Sequence, residues 1–265
     1  MGEIKIYLTL IKAAIQSRME YRASFVMWIL TILGFYGAQI AVVAMMVYQF
    51  KEIGGWKAGE IAFLYALLVM TQGVVSALLS GVQDFSDLIR EGTFDRLLLR
   101  PLSPLLQVLT NRFEPGGLAN FFMGVVALIF ASGMIQFEWN LMNSFFLFIV
   151  IIGGAMILAA IRIAVAAVAF FSISNDGLQH LIVFSSRELL LYPVHIYAKP
   201  VRIFLTFLFP IAFINFYPAH FFLSKEGSLF HPYFTYLTFP VGAVMLFTST
   251  LFWSWSMKHY TGTGN

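Results

Sequence analysis

Six runs of mostly apolar residues, each close to the length that crosses a bilayer core, alternate with polar stretches along the chain. They cover residues 23–50 (core 25–47), 61–82, 118–135, 141–171, 203–222 and 233–257. A helix rises about 1.5 Å per residue, so roughly 20 residues match the hydrocarbon thickness. Apolar residues follow one another in these runs instead of alternating with polar ones, which predicts helices apolar on every side rather than strands. The breaker Pro115-Gly116-Gly117 leads the third run. The fourth is long enough to tilt or protrude, and its one charge is Arg162. The fifth contains Pro210 and Pro218 and the sixth contains Pro240; prolines at such places kink a membrane helix, and neighbouring helices accommodate the kink. The predicted fold is all-α and integral to the membrane, with six transmembrane helices in one domain spanning residues 1–265.

Composition agrees with that reading. Of the 265 residues 60% are hydrophobic and 11% charged, whereas a soluble domain carries roughly a quarter charged residues. A water-soluble surface cannot be covered with so few. Cysteine is absent, which excludes disulfides, thiol chemistry and Cys-ligated metals. A net charge of +3 is too small to suggest nucleic acid as a partner. The 29 phenylalanines suit lipid contact and helix packing; an aromatic path for a hydrophobic or cationic substrate is the sharper alternative. Trp28, Trp139, Trp253 and Trp255 fall near run ends, where interface anchors belong. Gly153-Gly154 would permit a close helix contact.

Charge distribution predicts orientation. With the N-terminus inside, the inner segments hold Lys5, Lys12, Arg18, Arg22, Arg90, Arg96, Arg100, Arg112, Arg187, Lys199, Arg202 and Lys258. The outer loops hold only Lys51, Lys57 and Lys225. Twelve against three in short loops is a positive-inside bias that places both termini in the cytoplasm of a multi-pass cell-membrane protein. The polar, amphipathic residues 1–22 do not read as a cleavable leader. Ile4, Tyr7, Leu8, Ile11, Ile15 and Met19 share one helical face flanked by Lys5 and Lys12, the pattern of a helix lying in the inner headgroup layer against anionic lipid.

The longest polar stretches are then two inner loops, at 84–114 and 172–202. In the first, Gly92 ends one helix and a short amphipathic piece, 94–99, carries Phe94, Leu97 and Leu98 on one side with Asp95, Arg96 and Arg100 around the other. Pro101 stops it, and Ser103-Pro104 restarts the chain as a helix cap followed by proline at the first position. A short, rigid, sided element of this kind suits docking into a partner's groove, with Phe94 as the expected central knob.

The run Arg90-Glu91-Gly92-Thr93-Phe94-Asp95-Arg96-Leu97-Leu98-Leu99-Arg100-Pro101-Leu102-Ser103 resembles the R-E-x-G-T-x-x-x-L-L-x-x-P-L-S signature between helices 2 and 3 of ABC-2 type exporter permeases. One residue fewer separates the acid from Gly-Thr than in some members. Tyr192-Pro193 and the Pro210–Pro218 motif P-x-A-F-I-x-F-Y-P are similar to a branch of chains about this long, formerly known only as a domain of unknown function. The resemblance implies a type V exporter-like half: a six-helix permease that pairs with a second permease chain, itself or a sister, and exports a substrate. Its inner loop would be the coupling helix, with Glu91, Gly92, Thr93, Phe94, Asp95, Arg96, Leu97, Leu98, Arg100 and Pro101 against separate ABC ATPase subunits. ATP and Mg²⁺ would sit on those subunits and no cofactor on this chain. It contains no G-x-x-x-x-G-K-[ST] phosphate loop, so the chain is expected to be a non-catalytic subunit.

Other chemistry is weaker. Arg162, Pro210 and Pro218 are candidate pore or gating positions; an intramembrane charge is costly and often functional, while snorkelling or pairing within the bundle is the plainer account of Arg162. His195, His220 and His231 lack metal-ligand spacing. Asp84, Asp87, Glu91 and Asp95 suit a solvated or partner-facing loop better than catalysis. A stand-alone secondary transporter or membrane-embedded enzyme is the alternative function. Neither the substrate nor the choice between like and unlike permease partners is legible in the residues.

Overall fold

The computed structural model describes residues 52–112, 114–135, 137–172, 175–225 and 230–261, with positions 26, 27, 30, 31, 34, 35, 37 and 38. Those eight positions are helical; the expected interfacial helix at 1–22 and the rest of the first apolar run lie outside the described residues. Strands β1 (Glu52–Ile53) and β2 (Trp56–Lys57) pair antiparallel and lead into α1 (Ala58–Leu78), where the Lys57 N–H donates to the Glu60 carboxylate at 2.6 Å. A tight turn at Ser80–Val82 and three short helices follow: α2 (Phe85–Arg90), α3 (Thr93–Leu98) and α4 (Pro104–Thr110). The long helices α5 (Pro115–Met134) and α6 (Leu141–Val168) come next. Then α7 (Asp176–Gln179), a π-helical turn (His180–Phe184) and α8 (Ser185–Leu189) form one continuous rod. Helix α9 (Lys199–Ile203) continues as a π-helical turn to Leu208, α10 covers Phe216–Phe222, and α11 (Thr238–Met257) is last.

Close backbone approach organises the bundle. Gly73 of α1 lies against the Phe121 backbone of α5, while Gly117 and Gly124 of α5 lie against Ala77 and Met70 of α1. The partners run in opposite directions along the two helices, so one seam of small residues zips an antiparallel pair. Across the bundle, a Cβ on Gly153 of α6 would come within 2.7 Å of Phe239 Cα in α11, and Gly242 of α11 faces the Gly153 carbonyl. Lipid offers no hydrophobic drive between helices, so contact at this range is what holds them. Gly153 thus serves packing inside the chain, and its neighbour Gly154 meets Thr71 of α1.

The bundle has two ends. Trp56 marks one and Phe94 the other. Helix α1 runs from the Trp56 end to the Phe94 end, α5 returns, and α6 descends until Phe170, just past its last turn, meets Phe94 edge-on at 5.5 Å. The next segment climbs back. Near its start, Asn175 donates to the Val165 carbonyl at 2.8 Å and Gln179 to the Gln83 carbonyl at 2.9 Å. At its top, Asn215 bridges the carbonyls of Leu190 and Leu64 at 2.8 and 3.3 Å, and His195 donates to the Gly54 carbonyl at 2.6 Å. Helix α11 descends to bring Tyr260 beside Asp95.

This corrects the expected fifth helix and second inner loop. Residues 175–197 pass from the Phe94 end to the Trp56 end and do not form a loop at the Phe94 end. The run at 203–222 belongs instead to a bent pair, Lys199–Leu208 and Ile211–Phe222, turned by 78° at Phe209-Pro210. His195 precedes the pair at the Trp56 end. His220 closes it there, with its ring 5.3 Å from Trp56. Phe209, at the bend, shares a groove with Ile161, Ile182 and Met245 in mid-bundle. The pair therefore dips in and comes out on the same side.

Among the described residues three helices are long and apolar enough to cross a membrane (α1, α5 and α6), or four if the bent pair counts as one span. The expected prolines also sit differently. Pro240 falls in the first turn of α11 and Pro218 in the first turn of α10, where a missing N–H breaks no helical bond. Pro210 caps the bend. Helix α1 stops at Leu78, short of the expected 82, because the chain turns at Ser80–Val82 and seats Gly81 against the Val108 carbonyl of α4.

Candidate functional site

The 84–112 segment is the most elaborated surface at the Phe94 end. Its base is closed by the Ser80 hydroxyl donating to the Arg112 carbonyl and by Arg112 paired with Asp84, both at 2.6 Å. The hydrogen bond and charge of Asp84 raise the Arg112 pKa further. Gly92 takes a left-handed φ of 66° between α2 and α3, a conformation open to glycine at little steric cost, and so lets α3 fold back on α2. The Thr93 hydroxyl ties the fold to the Leu88 carbonyl at 3.1 Å. Gln107 of α4 donates to the carbonyls of Leu97 and Leu102, at 3.0 and 3.1 Å, and so pins α3 and the Pro101 turn onto α4.

Phe94 does not project from this surface. Its side chain is 0% exposed, with Phe85 at 5.2 Å, Phe170 at 5.5 Å and Tyr260 at 5.4 Å between ring centres. Phe85 and Phe170 in turn pack on Trp253, tilted and edge-on, at 4.5 and 5.0 Å. The expectation of a docking knob at Phe94 is therefore corrected, because the aromatic face of α3 finds its complement in the chain's own rings. The opposite face is free of such cover. Glu91, Asp95, Arg96, Leu98, Arg100 and Pro101 are exposed, Gly92, Thr93 and Leu97 half-buried, and Leu99 is 86% exposed at the apex. Two leucines between Arg96 and Arg100 thus form a small apolar summit with a charged rim. Beside it the Tyr260 hydroxyl donates to Asp95 Oδ1 at 3.0 Å; burial, with Asp95 adding to it, pushes the phenol up to about 12.

Arg162 lies on α6 and is 93% shielded, with 7% of its surface exposed. Its Nη2 donates to Ser76 Oγ of α1 at 3.3 Å, while Nε and Nη1 have no hydrogen-bond partner. Among the described residues no carboxylate pairs with it. Arg162, Pro210 and Pro218 are not brought together: the arginine stands near the Phe94 end, and the prolines belong to the bent pair.

The Trp56 end holds a constellation that the sequence reading passed over. Trp56 is buried under His195, Phe216 and His220. Lys225 lies over its ring at 5.1 Å while pairing with Glu60 at 2.8 Å and donating to the Gly55 carbonyl at 2.7 Å. Beside it a cavity of about 780 Å³ opens between Glu60, Phe137, Asn143 and Phe222. The available signal was the Gly54-Gly55-Trp56 turn between two apolar runs. Tyr260 and Leu99 were also missed as working positions. Among the described residues no three His, Asp or Glu side chains gather as a metal site.

A family model described as ABC-2 family transporter protein matches residues 25–264. No curated protein and no solved structure matches.

Proposed function

The chain belongs to the ABC-2 family of transporter proteins, and from that membership we propose that it is a permease subunit of an ATP-driven exporter. It forms the translocation path with a second permease chain, of its own kind or a sister. Separate cytoplasmic ABC ATPase subunits bind ATP and Mg²⁺ and dock on its 84–112 segment. The apolar summit of Leu98 and Leu99 is the observation that carries this reading. It is held rigid from below by the Phe94 rings and from the side by Gln107, while its outer face lacks cover among the described residues. A small exposed apolar patch with an arginine rim has the anatomy of a docking centre.

Six membrane passes follow if the run at 23–50 adds one to the five segments that run between the two ends of the bundle, α1, α5, α6, 175–197 and α11. The Phe94 end is cytoplasmic, because Arg90, Arg96, Arg100, Arg112 and Lys258 cluster there. Reassigning 175–197 transfers Lys199 and Arg202 to the other side and weakens the charge bias without reversing it. In the docked complex Leu99 enters a groove on the ATPase, and Arg96 and Arg100 steer association more than they hold it.

Copurification of the tagged chain with its ATPase tests the reading. A central hot-spot side chain contributes about 2 kcal/mol or more, so Leu99→Asp is expected to weaken capture roughly 30-fold or more while the protein stays inserted and monodisperse. Capture of the ATPase at native strength by Leu99→Asp overturns the docking site. Failure of the unmodified chain to capture any ATPase returns it to the stand-alone transporters.

A further inference from the structure

The exposed summit of α3 explains docking but not where the motion goes, and two features of the packing give that motion a direction. The buried rings behind α3 belong to a hydrophobic cluster of their own. Its buried members are Val82, Phe85, Ile89, Phe94 and Val108 from the loop, the end of α6 from Ile163 to Phe170, and Trp253 of α11. No residue of α1 or α5 belongs to it; those two helices pack in a second cluster, which α6 joins from Leu147 to Val165. The second feature lies beyond the last turn of α11. There Tyr260 sets its ring against Phe94 and Phe170, at 5.4 and 5.7 Å, and its hydroxyl on Asp95 at 3.0 Å. Among the described residues that hydrogen bond is the polar tie between the chain beyond α11 and α3.

We propose that Tyr260 couples α3 to the α6–α11 pair, so that displacement of the docked segment is delivered to those two helices. The proposal rests on the permease reading of the 84–112 segment. Close-packed interiors transmit displacement because they compress little. Phe94, fully buried among four other rings, behaves as such a medium. Helices α6 and α11 are themselves locked at Gly153 and Gly242, so a push on Phe170, Trp253 and Tyr260 moves them as one body. Asp95 faces the docked partner on one side and Tyr260 on the other. The same short helix therefore contacts both the source of the motion and the element that receives it.

The chain lacks cysteine, so introduced thiols are unique in the permease. The test uses the permease–ATPase complex in liposomes, with three readouts: ATPase capture, permease-dependent stimulation of ATP hydrolysis, and the ATP-dependent change in distance between labels at Thr250 of α11 and Val126 of α5. Tyr260→Ala is expected to capture ATPase normally while losing most of the stimulation, on the order of tenfold, and the label movement. Tyr260→Phe keeps the ring and retains part of both. A chain carrying both Asp95→Cys and Tyr260→Cys should be uncoupled until a short bifunctional thiol reagent joins the two positions, and coupled again afterwards. This pair reads the tie within one folded sample even if Tyr260→Ala proves unstable. Native stimulation and native label movement in Tyr260→Ala, or no recovery on cross-linking, overturns the proposal. Loss of capture by the unmodified chain strikes the permease reading instead.

Discussion

Phe94 and Leu99 stand five positions apart in one short segment, and the fold sends them in opposite directions: one is sealed among rings, the other is 86% exposed at the apex. An amphipathic piece at the membrane face has two apolar neighbours to choose from, its own bundle and a partner, and periodicity cannot say which face meets which. The two side chains should therefore fail differently. Removing a buried phenylalanine costs about 3–5 kcal/mol, so Phe94→Ala should lower the unfolding midpoint in detergent by several degrees, and any loss of ATPase capture should follow that loss of stability. Leu99→Asp should leave the midpoint where it was. Arg162 gives another residue-level expectation. Two of its three guanidinium nitrogens are buried without partners, and such a charge is costly to retain. Arg162→Met should be neutral or raise thermal stability; a fall of several degrees would reveal a counter-charge brought by the partner permease or the N-terminal segment.

Among the elements, the α1–α5 pair depends on missing side chains. Gly117 and Gly73 each sit where a Cβ would collide with the facing backbone, whereas Gly133 has open space around it. Overpacking such contacts costs about 1–3 kcal/mol, occasionally more. Gly117→Leu should reduce the monodisperse fraction on size-exclusion chromatography, and Gly133→Ala should leave it unchanged or slightly higher, since alanine favours helix by about 1 kcal/mol over glycine. Apolar runs alone carried none of this, because a seam is a relation between two helices. The prolines teach the same lesson from the other side. Pro218 and Pro240 were expected to kink long helices, yet each lies in a first turn, and only Pro210 stands at a bend.

At the scale of the molecule, the reassigned passage at 175–197 changes which loops share a side of the membrane. Cysteines replacing Glu138 and Lys199, one at a time, should both react with an impermeant maleimide in intact cells, and one replacing Ser103 should react only after permeabilisation. Lys199 labelling in company with Ser103 would restore the straight fifth helix that the apolar runs suggest. The proposed exporter needs this arrangement: with both ends of the bent pair at the Trp56 end, the cavity and the buried Trp56 sit on the side opposite the ATPase, where a substrate would leave.

By itself the sequence determined that the chain lives in a membrane, that long helices occupy 58–78, 115–134 and 141–168 to within a few residues, that Gly92 and Pro101 bracket a short helix, and which family the chain joins. Each of these follows from local composition or an unbroken motif. Only the tertiary structure decided which segments traverse the bundle. A count of apolar residues measures preference for lipid averaged around a helix, and it misleads where a segment meets protein instead. The passage at 175–190 was overlooked because of Asn175, Gln179 and Arg187, yet Asn175 and Gln179 bond to carbonyls inside the bundle and Arg187 lies 6.0 Å over the Phe35 ring. Residues 211–220 read as part of a span because most are apolar, yet every one of them is buried. Their apolar surface is spent on the protein's own core, which requires no crossing at all.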